Sequence, residues 1–360
     1  VKDTLAPLLI GPTQSVKRAM ARLDQAGQQI LFVTDTRRRL LGTLTDGDIR
    51  RHILAGGSLQ AAVSGVCNRR PRVVPQGRPL AEMRELMVRH HIRHVPEVDA
   101  SGRIVGIVRW ETVLGRAAEM PRPALGVPVV IMAGGKGSRL DPFTRILPKP
   151  LIPVEDRALV QVIMDRFLEF GCDRFLLTVN YKAEMIRAFF DGLEPGGRYR
   201  IAYVREDEAT GTAGSLRLLQ ARVRGDFFLT NCDVLIKADY AQILAFHRER
   251  KNVVTLVASM RHVRVPYGVV ELDGSGGLRD VREKPEFDFL ANTGFYVINP
   301  GIARFFPRRT AFHMPELIAR VKREGGRVGV FPVGQGAWVD VGQWAEYLRH
   351  TLDGAAGGPS

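Results

Sequence analysis

Along the chain, apolar positions switch between two periods. Val16 to Gln25 and Leu80 to Arg89 space their apolar residues as one face of a helix does. Each is followed by a short apolar strand, a turn, a second strand and the start of a further helix. From Val127 onward, strand-like runs at Val127–Met132, Phe175–Asn180, Arg200–Val204, Phe227–Leu229 and Val253–Ser259 alternate with helical patterns. Those patterns lie at Leu159–Phe170, Ala183–Phe190, Leu216–Ala221 and Tyr240–Arg248. This alternation predicts an α/β domain, a mostly parallel sheet with helices on both faces, which binds ligands at the carboxyl ends of its strands.

The first third contains an internal repeat. Ile30 to Ile49 reads Ile-Leu-Phe-Val-Thr-Asp, four residues, then Leu-Gly-Thr-Leu-Thr-Asp-Gly-Asp-Ile; His94 to Val113 reads in the same way 64 positions later. Asp35 aligns with Asp99 and Gly42 with Gly106. Each copy is half-buried by pattern, so two copies are expected to cover each other's apolar faces. After Gly115, three prolines and no periodicity mark a linker. The expected domains are residues 1–120 and 127–350.

Composition narrows the function classes. The formal charge of +14 invites a nucleic-acid reading, but Lys and Arg are spread over the whole chain, without a basic tail, zinc finger or aromatic RNA-binding motif. Small polyanionic ligands account for the charge equally well. No apolar run approaches the roughly 20 residues of a membrane span, and the N-terminal residues lack signal-peptide features. Cys67, Cys172 and Cys232 are scattered and without metal-ligand spacing, so reduced thiols and a cytoplasmic location are expected.

The segment richest in chemistry follows the first strand of the second domain: Gly134-Gly135-Lys136-Gly137-Ser138-Arg139-Leu140-Asp141-Pro142-Phe143-Thr144, ending at Leu147-Pro148-Lys149-Pro150. Glycines let backbone N–H groups approach phosphates, and Arg139 offers a fork of charge-assisted hydrogen bonds to a triphosphate. Lys149, between two prolines, supplies a second fixed cation. Neither the Walker spacing nor the Gly-x-Gly-x-x-Gly dinucleotide fingerprint is present.

This segment resembles the signature of the sugar nucleotidyltransferases, Gly-Gly-x-Gly-Thr-Arg-Leu-x-Pro-Leu-Thr followed by Pro-Lys-Pro, with Ser138 and Phe143 as mild departures. The resemblance extends over about Val127 to Leu348 and implies a Rossmann-like, GT-A-like fold. It implies Mg²⁺ ligation by Asp233, in Leu229-Thr230-Asn231-Cys232-Asp233, and by Asp340, in Trp338-Val339-Asp340-Val341-Gly342. Gly134, Gly135, Gly137, Ser138, Glu206, Gly211, Thr212 and Gly214 are implied nucleotide contacts. Gly268, Glu283, Lys284, Asn292 and Gly294 are implied sugar-phosphate contacts. Arg139, Lys149, Asp233, Lys284 and Asp340 then form the catalytic set. Cys232 reads as a small buried neighbour and not as a nucleophile.

The repeat pair resembles a tandem of cystathionine β-synthase (CBS) domains over roughly Val1 to Gly115. In the first copy Thr45 and Asp48 match the positions that contact phosphate and ribose of an adenine nucleotide; the second copy has Arg109 and Thr112 there. Thr45-Asp46-Gly47-Asp48 reads equally as a helix cap. The domain combination, with Val257 to His262 and Phe312-His313, resembles bacterial enzymes that make guanosine diphosphate sugars, with glucosamine 1-phosphate or mannose 1-phosphate as acceptor. Glu206 could pair with guanine. Uridylyl or thymidylyl transfer, and a decayed transferase that only senses nucleotide, stay open. A homodimer is expected by analogy, with no nucleic-acid or membrane partner.

Overall fold

The computed structural model describes residues 5–26, 29–90, 92–110, 113, 124–193, 198–206, 210–308 and 311–341. The chain forms two compact units, residues 1–122 and 123–360.

In the first unit the repeat is visible as two antiparallel hairpins, Ile30–Thr34 with Leu40–Thr45 and His94–Val98 with Ile104–Arg109. The aligned aspartates perform the same task. Asp35 Oδ1 accepts the N–H groups of Arg37 and Arg39, each at 2.8 Å, and Asp99 Oδ1 accepts those of Ser101 and Arg103 at 2.8 and 2.9 Å. A carboxylate that ties down its own turn fixes the register of the strands on either side. The two turns also bond to each other: Leu40 N–H donates to Gly102 O and Ile104 N–H to Arg38 O, both at 3.0 Å. Beneath them Phe32 and Ile104, one from each copy, share one apolar cluster. The copies thus bury each other, as their patterns require. The second copy's Thr112 and most of the helix expected to follow it lie outside the described residues.

The second unit is built on a sheet of seven strands. They are β1 (Val129–Met132), β2 (Arg174–Val179), β3 (Arg200–Arg205), β4 (Phe227–Asn231), β5 (Val254–Arg264), β6 (Glu286–Ile298) and β7 (Val328–Val333). Their order is β3-β2-β1-β4-β6-β5-β7, and every neighbouring pair is parallel except the two made by β6. Both faces are covered. Val129, Ile131, Phe175, Leu177 and Phe228 pack under the helices Leu159–Leu168, Ala183–Asp191 and Tyr240–Glu249. Their sequence neighbours Val130, Leu176 and Leu229 pack against Leu216, Leu219, Met314 and Leu317 on the other side. Successive side chains of a strand point to opposite faces, so strands buried on both sides need apolar runs, as in Val129–Met132, Phe175–Leu177 and Phe227–Leu229, with Thr178 and Thr230 as buried polar residues towards the carboxyl ends.

Where the structure departs from the pattern reading, hydrogen-bond partners are the reason. The strand expected to stop at Ser259 runs on to Arg264, because β6 supplies a ladder along its whole length, from Val254 opposite Ile298 to Arg264 opposite Glu286. Beyond the sheet this pair is a two-stranded arm that ends in the hairpin Val269–Leu272 with Leu278–Arg282. Asn292-Thr293-Gly294, which alone reads as a turn, is an irregularity inside β6 next to the register shift at Val257/Ala258. Among the described residues no helix is long and apolar enough to cross a membrane.

Phe167 is fully buried, stacked on Phe295 at 5.7 Å and within 4.8 to 5.4 Å of the rings of Tyr240 and Phe228. Phe167→Ala is expected to destabilise the second unit by roughly 3–5 kcal/mol, read as a lower denaturant midpoint at unchanged slope in urea unfolding followed by far-UV circular dichroism.

Candidate functional site

Most of the expected site residues of the second unit gather at the carboxyl ends of the parallel strands; Gly268, Glu283 and Lys284 lie apart on the arm. The chain leaves β1 at Met132 and enters the glycine loop. There Gly137 has φ +69°, and a Cβ on it would lie 2.9 Å from both Lys149 Cβ and Thr144 Cγ2. Only glycine permits that close approach. Gly135 faces open space, Ser138 and Arg139 are exposed, and Leu140 is buried, so one anchor in the core holds a loop whose polar groups face outward.

Lys149 is the opposite case. Pro148 in extended conformation leads into a single helical turn at Lys149–Leu151, and the lysine is only 9% exposed. Its ammonium forms an ion pair with Asp233 Oδ2, and Asp233 is itself 6% exposed. Beyond the turn after β4, Val234–Ile236 pairs antiparallel with Trp338–Asp340, which sets Val234 opposite Asp340. Val341 N–H donates to Asp233 O at 3.0 Å. The fold thus brings the two expected metal ligands to one short ladder.

Two carboxylates offer hard oxygen donors, and the Lys149 ammonium already stands against one of them, so cationic charge is accepted at this point. Among the described residues no group of three or more His, Cys, Asp or Glu side chains has metal-ligand geometry. A divalent ion here would complete its coordination with phosphate and water oxygens. Cys232 beside it is buried, which pushes its thiol pKa up to about 12, with the Asp233 charge adding to the effect. A thiol so disfavoured as thiolate is no nucleophile.

A second group stands at the ends of β2 and β3. Glu206 follows β3, and its Oε2 accepts the Thr210 hydroxyl at 2.9 Å. Its backbone O accepts Asn180 Nδ2 at 2.6 Å. Gly134 lies alongside, where a Cβ would come within 3.3 Å of Glu206 Oε1. Gly211 has φ +79°, with Phe312 O at 2.5 Å from the position of a Cβ. Gly214 is buried, and the Thr212 hydroxyl accepts Met314 N–H at 3.0 Å. The expected nucleotide loop is therefore docked on residues 312–314, and one of its hydroxyls caps a helix.

A third group belongs to β6. Gly294, φ +82°, leaves room for the side chain of Asn231, whose Nδ2 would otherwise stand 2.5 Å from a Cβ. Asn292 Oδ1 accepts Gly294 N–H at 3.2 Å, and its Nδ2 donates to Tyr296 OH at 2.8 Å. Gly268, Glu283 and Lys284 form a separate, exposed set near the foot of the arm's hairpin. Lys284 has φ +44°, an uncommon conformation for a residue with a side chain, and its ammonium lies 3.7 Å from Glu283 Oε1. Glu283 Oε2 in turn borders Gly268.

In the first unit Thr45 and Asp48 form a reciprocal cap on the helix Asp46–Leu54. Thr45 Oγ1 accepts Asp48 N–H at 3.3 Å, and Asp48 Oδ2 accepts Thr45 N–H at 2.8 Å and its hydroxyl at 2.6 Å. Asp48 also pairs with Arg51. Asn180, Thr210 and Asn231 contact the expected site residues without any motif in the sequence that marks them. Short polar residues at strand ends give no signal until their partners are known.

Comparison with known proteins follows the same division. The family profile described as nucleotidyl transferase matches residues 128–356, and the CBS domain profile matches residues 3–55 and 63–119. The chain is 30% identical over 230 residues to a mannose-1-phosphate guanyltransferase of Emericella nidulans, covering 62% of each protein. It is 28% identical over 241 residues to a UTP–glucose-1-phosphate uridylyltransferase of Synechocystis, covering 61% of each. It spans about three-fifths of the length of such curated relatives. In three dimensions it is similar to HddC from Yersinia pseudotuberculosis at a TM-score of 0.50 and 20% identity, over 63% of this chain and 99% of that one. HddC has also been solved complexed with GMP-PN.

Removing one partner of a buried ion pair strands the other charge. Asp233→Ala is expected to cost roughly 3–5 kcal/mol, and adding Lys149→Met should recover a large part of it; urea unfolding of the three proteins measures both. In the first unit Thr45→Ala should cost about 1 kcal/mol through loss of the cap, seen as a lower melting temperature of that unit.

Proposed function

The chain belongs to the nucleotidyl transferase family and carries a CBS pair ahead of that domain, and from this we propose that it transfers a nucleotidyl group, GMP from GTP, to a sugar 1-phosphate. The observation that carries the reading is the Lys149–Asp233 ion pair beneath the glycine loop, with Asp340 on the adjoining ladder. A site that had decayed into a mere binding surface would have no reason to hold a lysine and a carboxylate out of water at a strand end.

The reaction this supports joins an oxygen of the sugar phosphate to the α-phosphorus of the triphosphate. The bond from that phosphorus to the bridging oxygen breaks, and pyrophosphate leaves. A phosphate monoester has its second pKa near 6 and is mostly dianionic at neutral pH, so no strong base is required. The work falls to alignment and charge. The backbone N–H groups of Gly134 to Ser138 cradle the triphosphate, and exposed Arg139 forks onto its outer phosphates. Lys149 supplies fixed positive charge from below, and Lys284 reaches the attacking phosphate from the arm. Asp233 and Asp340 would hold Mg²⁺, which when bound supplies neutralisation of the triphosphate and of the departing pyrophosphate.

Guanine is favoured over uracil by Glu206. Its carboxylate is oriented by Thr210 and lies beside Gly134, and a carboxylate matches the N1–H and exocyclic amine of guanine, a pair of donors that uracil lacks. Guanylyl transfer by relatives such as the Emericella nidulans protein agrees with this, while the Synechocystis uridylyltransferase keeps UTP in the comparison. The CBS pair would bind an adenine nucleotide and set the activity of the transferase, in a homodimer. Since Thr45 and Asp48 already satisfy each other, such a ligand must replace bonds of the cap.

Pyrophosphate release with Mg²⁺, over four nucleoside triphosphates and a panel including mannose 1-phosphate and glucosamine 1-phosphate, tests the reading. GTP is expected to give the highest kcat/KM with one acceptor, and Arg139→Ala to lower it by about 100-fold or more. Silence over the whole panel from folded protein would refute the enzyme reading.

A further inference from the structure

We propose that His313 is a positioning residue for the nucleotide: a latch whose ring nitrogen Nδ1 holds the Thr210–Gly214 loop, and through it Glu206, in the conformation that receives the base. The proposal rests on the reading of that loop as part of the nucleotide site.

Sequence places His313 about a hundred residues from the loop, and the fold sets the two side by side. Thr212 N–H donates to His313 Nδ1 at 3.3 Å. The same Thr212 hydroxyl accepts Met314 N–H at 3.0 Å. On either side Phe312 N–H donates to Thr210 O at 2.9 Å and Ala213 N–H to Phe312 O at 3.1 Å. Gly211, at φ +79°, presses so closely on Phe312 O that no side chain fits, with His313 Cε1 at 3.2 Å from the same point. Thr210, Thr212 and Ala213 of the loop are thus bonded to the three consecutive residues Phe312, His313 and Met314, before and at the start of the helix Met314–Arg323.

All but one of these bonds use backbone groups or the hydroxyl of the loop itself. The exception is His313, whose side chain is the only one of residues 312–314 that accepts a hydrogen bond from the loop among the bonds just named. For Nδ1 to accept, the ring must be neutral with its proton on Nε2. The ring is exposed and belongs to no apolar cluster, while Phe312 and Met314 on either side are buried. His313 N–H donates to Glu316 Oε2 at 3.1 Å, which orients the residue at the helix start.

The latch extends to the base-reading group. Thr210, whose backbone O is held by Phe312, gives its hydroxyl to Glu206 Oε2 at 2.9 Å. Movement of the loop would therefore turn the carboxylate that faces the base. The ring contacts neither the triphosphate loop nor the Lys149–Asp233 pair in any bond described above, so its loss should be felt in nucleotide binding and not in the chemical step.

The test compares the full-length chain with His313→Phe, which keeps a ring without an acceptor, and His313→Asn, whose amide oxygen stands near the place of Nδ1. Steady-state kinetics with GTP and the active acceptor are paired with hydrogen exchange at the amides of Thr212 and Ala213. The expected result for His313→Phe is a KM for GTP raised by about tenfold, with kcat and the acceptor KM within about twofold, and faster exchange at Thr212. His313→Asn should return both readouts to near the wild-type values. Unchanged exchange in His313→Phe overturns the latch, and so does faster exchange with an unchanged KM for GTP. An equal fall in kcat with every KM unchanged also overturns it, since that places His313 in the chemical step. If the wild-type chain turns over no triphosphate, the reaction class fails and exchange at Thr212 judges the latch by itself.

Discussion

The second unit is organised around one buried ion pair. Lys149 and Asp233 are 84 positions apart, and neither has water enough around it to stand alone. Buried pairs contribute little net stability, because desolvation offsets their attraction, but they penalise every arrangement that separates them. That penalty fixes the end of β4 against the Pro148–Pro150 turn. Gly137 must then lie on the lysine stem, which sets the course of the glycine loop. The Asp233 carbonyl in turn accepts Val341 N–H and so draws the Trp338–Asp340 strand to the same place.

The second constraint is the single reversed strand. A wholly parallel sheet receives each strand from the face opposite its ligands. Because β6 runs antiparallel, it enters at the ligand end and delivers Asn292 and Gly294 next to Asn231. Its extension with β5 forms the arm near whose hairpin Lys284 sits. The Lys149–Asp233 pair is buried and cross-braced, whereas Lys284 is half exposed and anchored by a two-stranded ribbon. Such ribbons are marginal on their own. The proposed transfer would thus join a rigid half of the site to a compliant one, a division that suits the exchange of two charged ligands for two others.

In the first unit one pair of residues carries two readings. Thr45 and Asp48 match a nucleotide-contact pattern and also complete a capping box, with Arg51 on the remaining carboxylate oxygen. Any ligand that uses them must exchange one set of hydrogen bonds for another. Ligand binding at these residues would therefore be felt at the start of the helix Asp46–Leu54.

The strands and helices were legible because their signals are local. Period and apolar run place β1, β2, β4 and the helices at Leu159, Ala183 and Tyr240 within a few residues, and the repeat announces the paired hairpins. The glycine loop and Pro-Lys-Pro could be read as one structural unit because they adjoin in sequence, and Gly137 does pack on Lys149. The length of β5 could not, since a strand ends where its partner ends, and β6 is 22 residues further on. Nor could the conformation of Asn292 to Gly294, where a turn motif is held inside a strand by bonds to Tyr296 and Val257. The sequence by itself determined the two α/β units, the residue types available for chemistry and the faces that are buried, because backbone period and side-chain polarity act over a few residues. Only the tertiary structure decided that Lys149 meets Asp233, that Asp340 joins the same ladder and that His313 meets Thr212. Those pairings depend on strand order and on burial, which no stretch of chain contains alone.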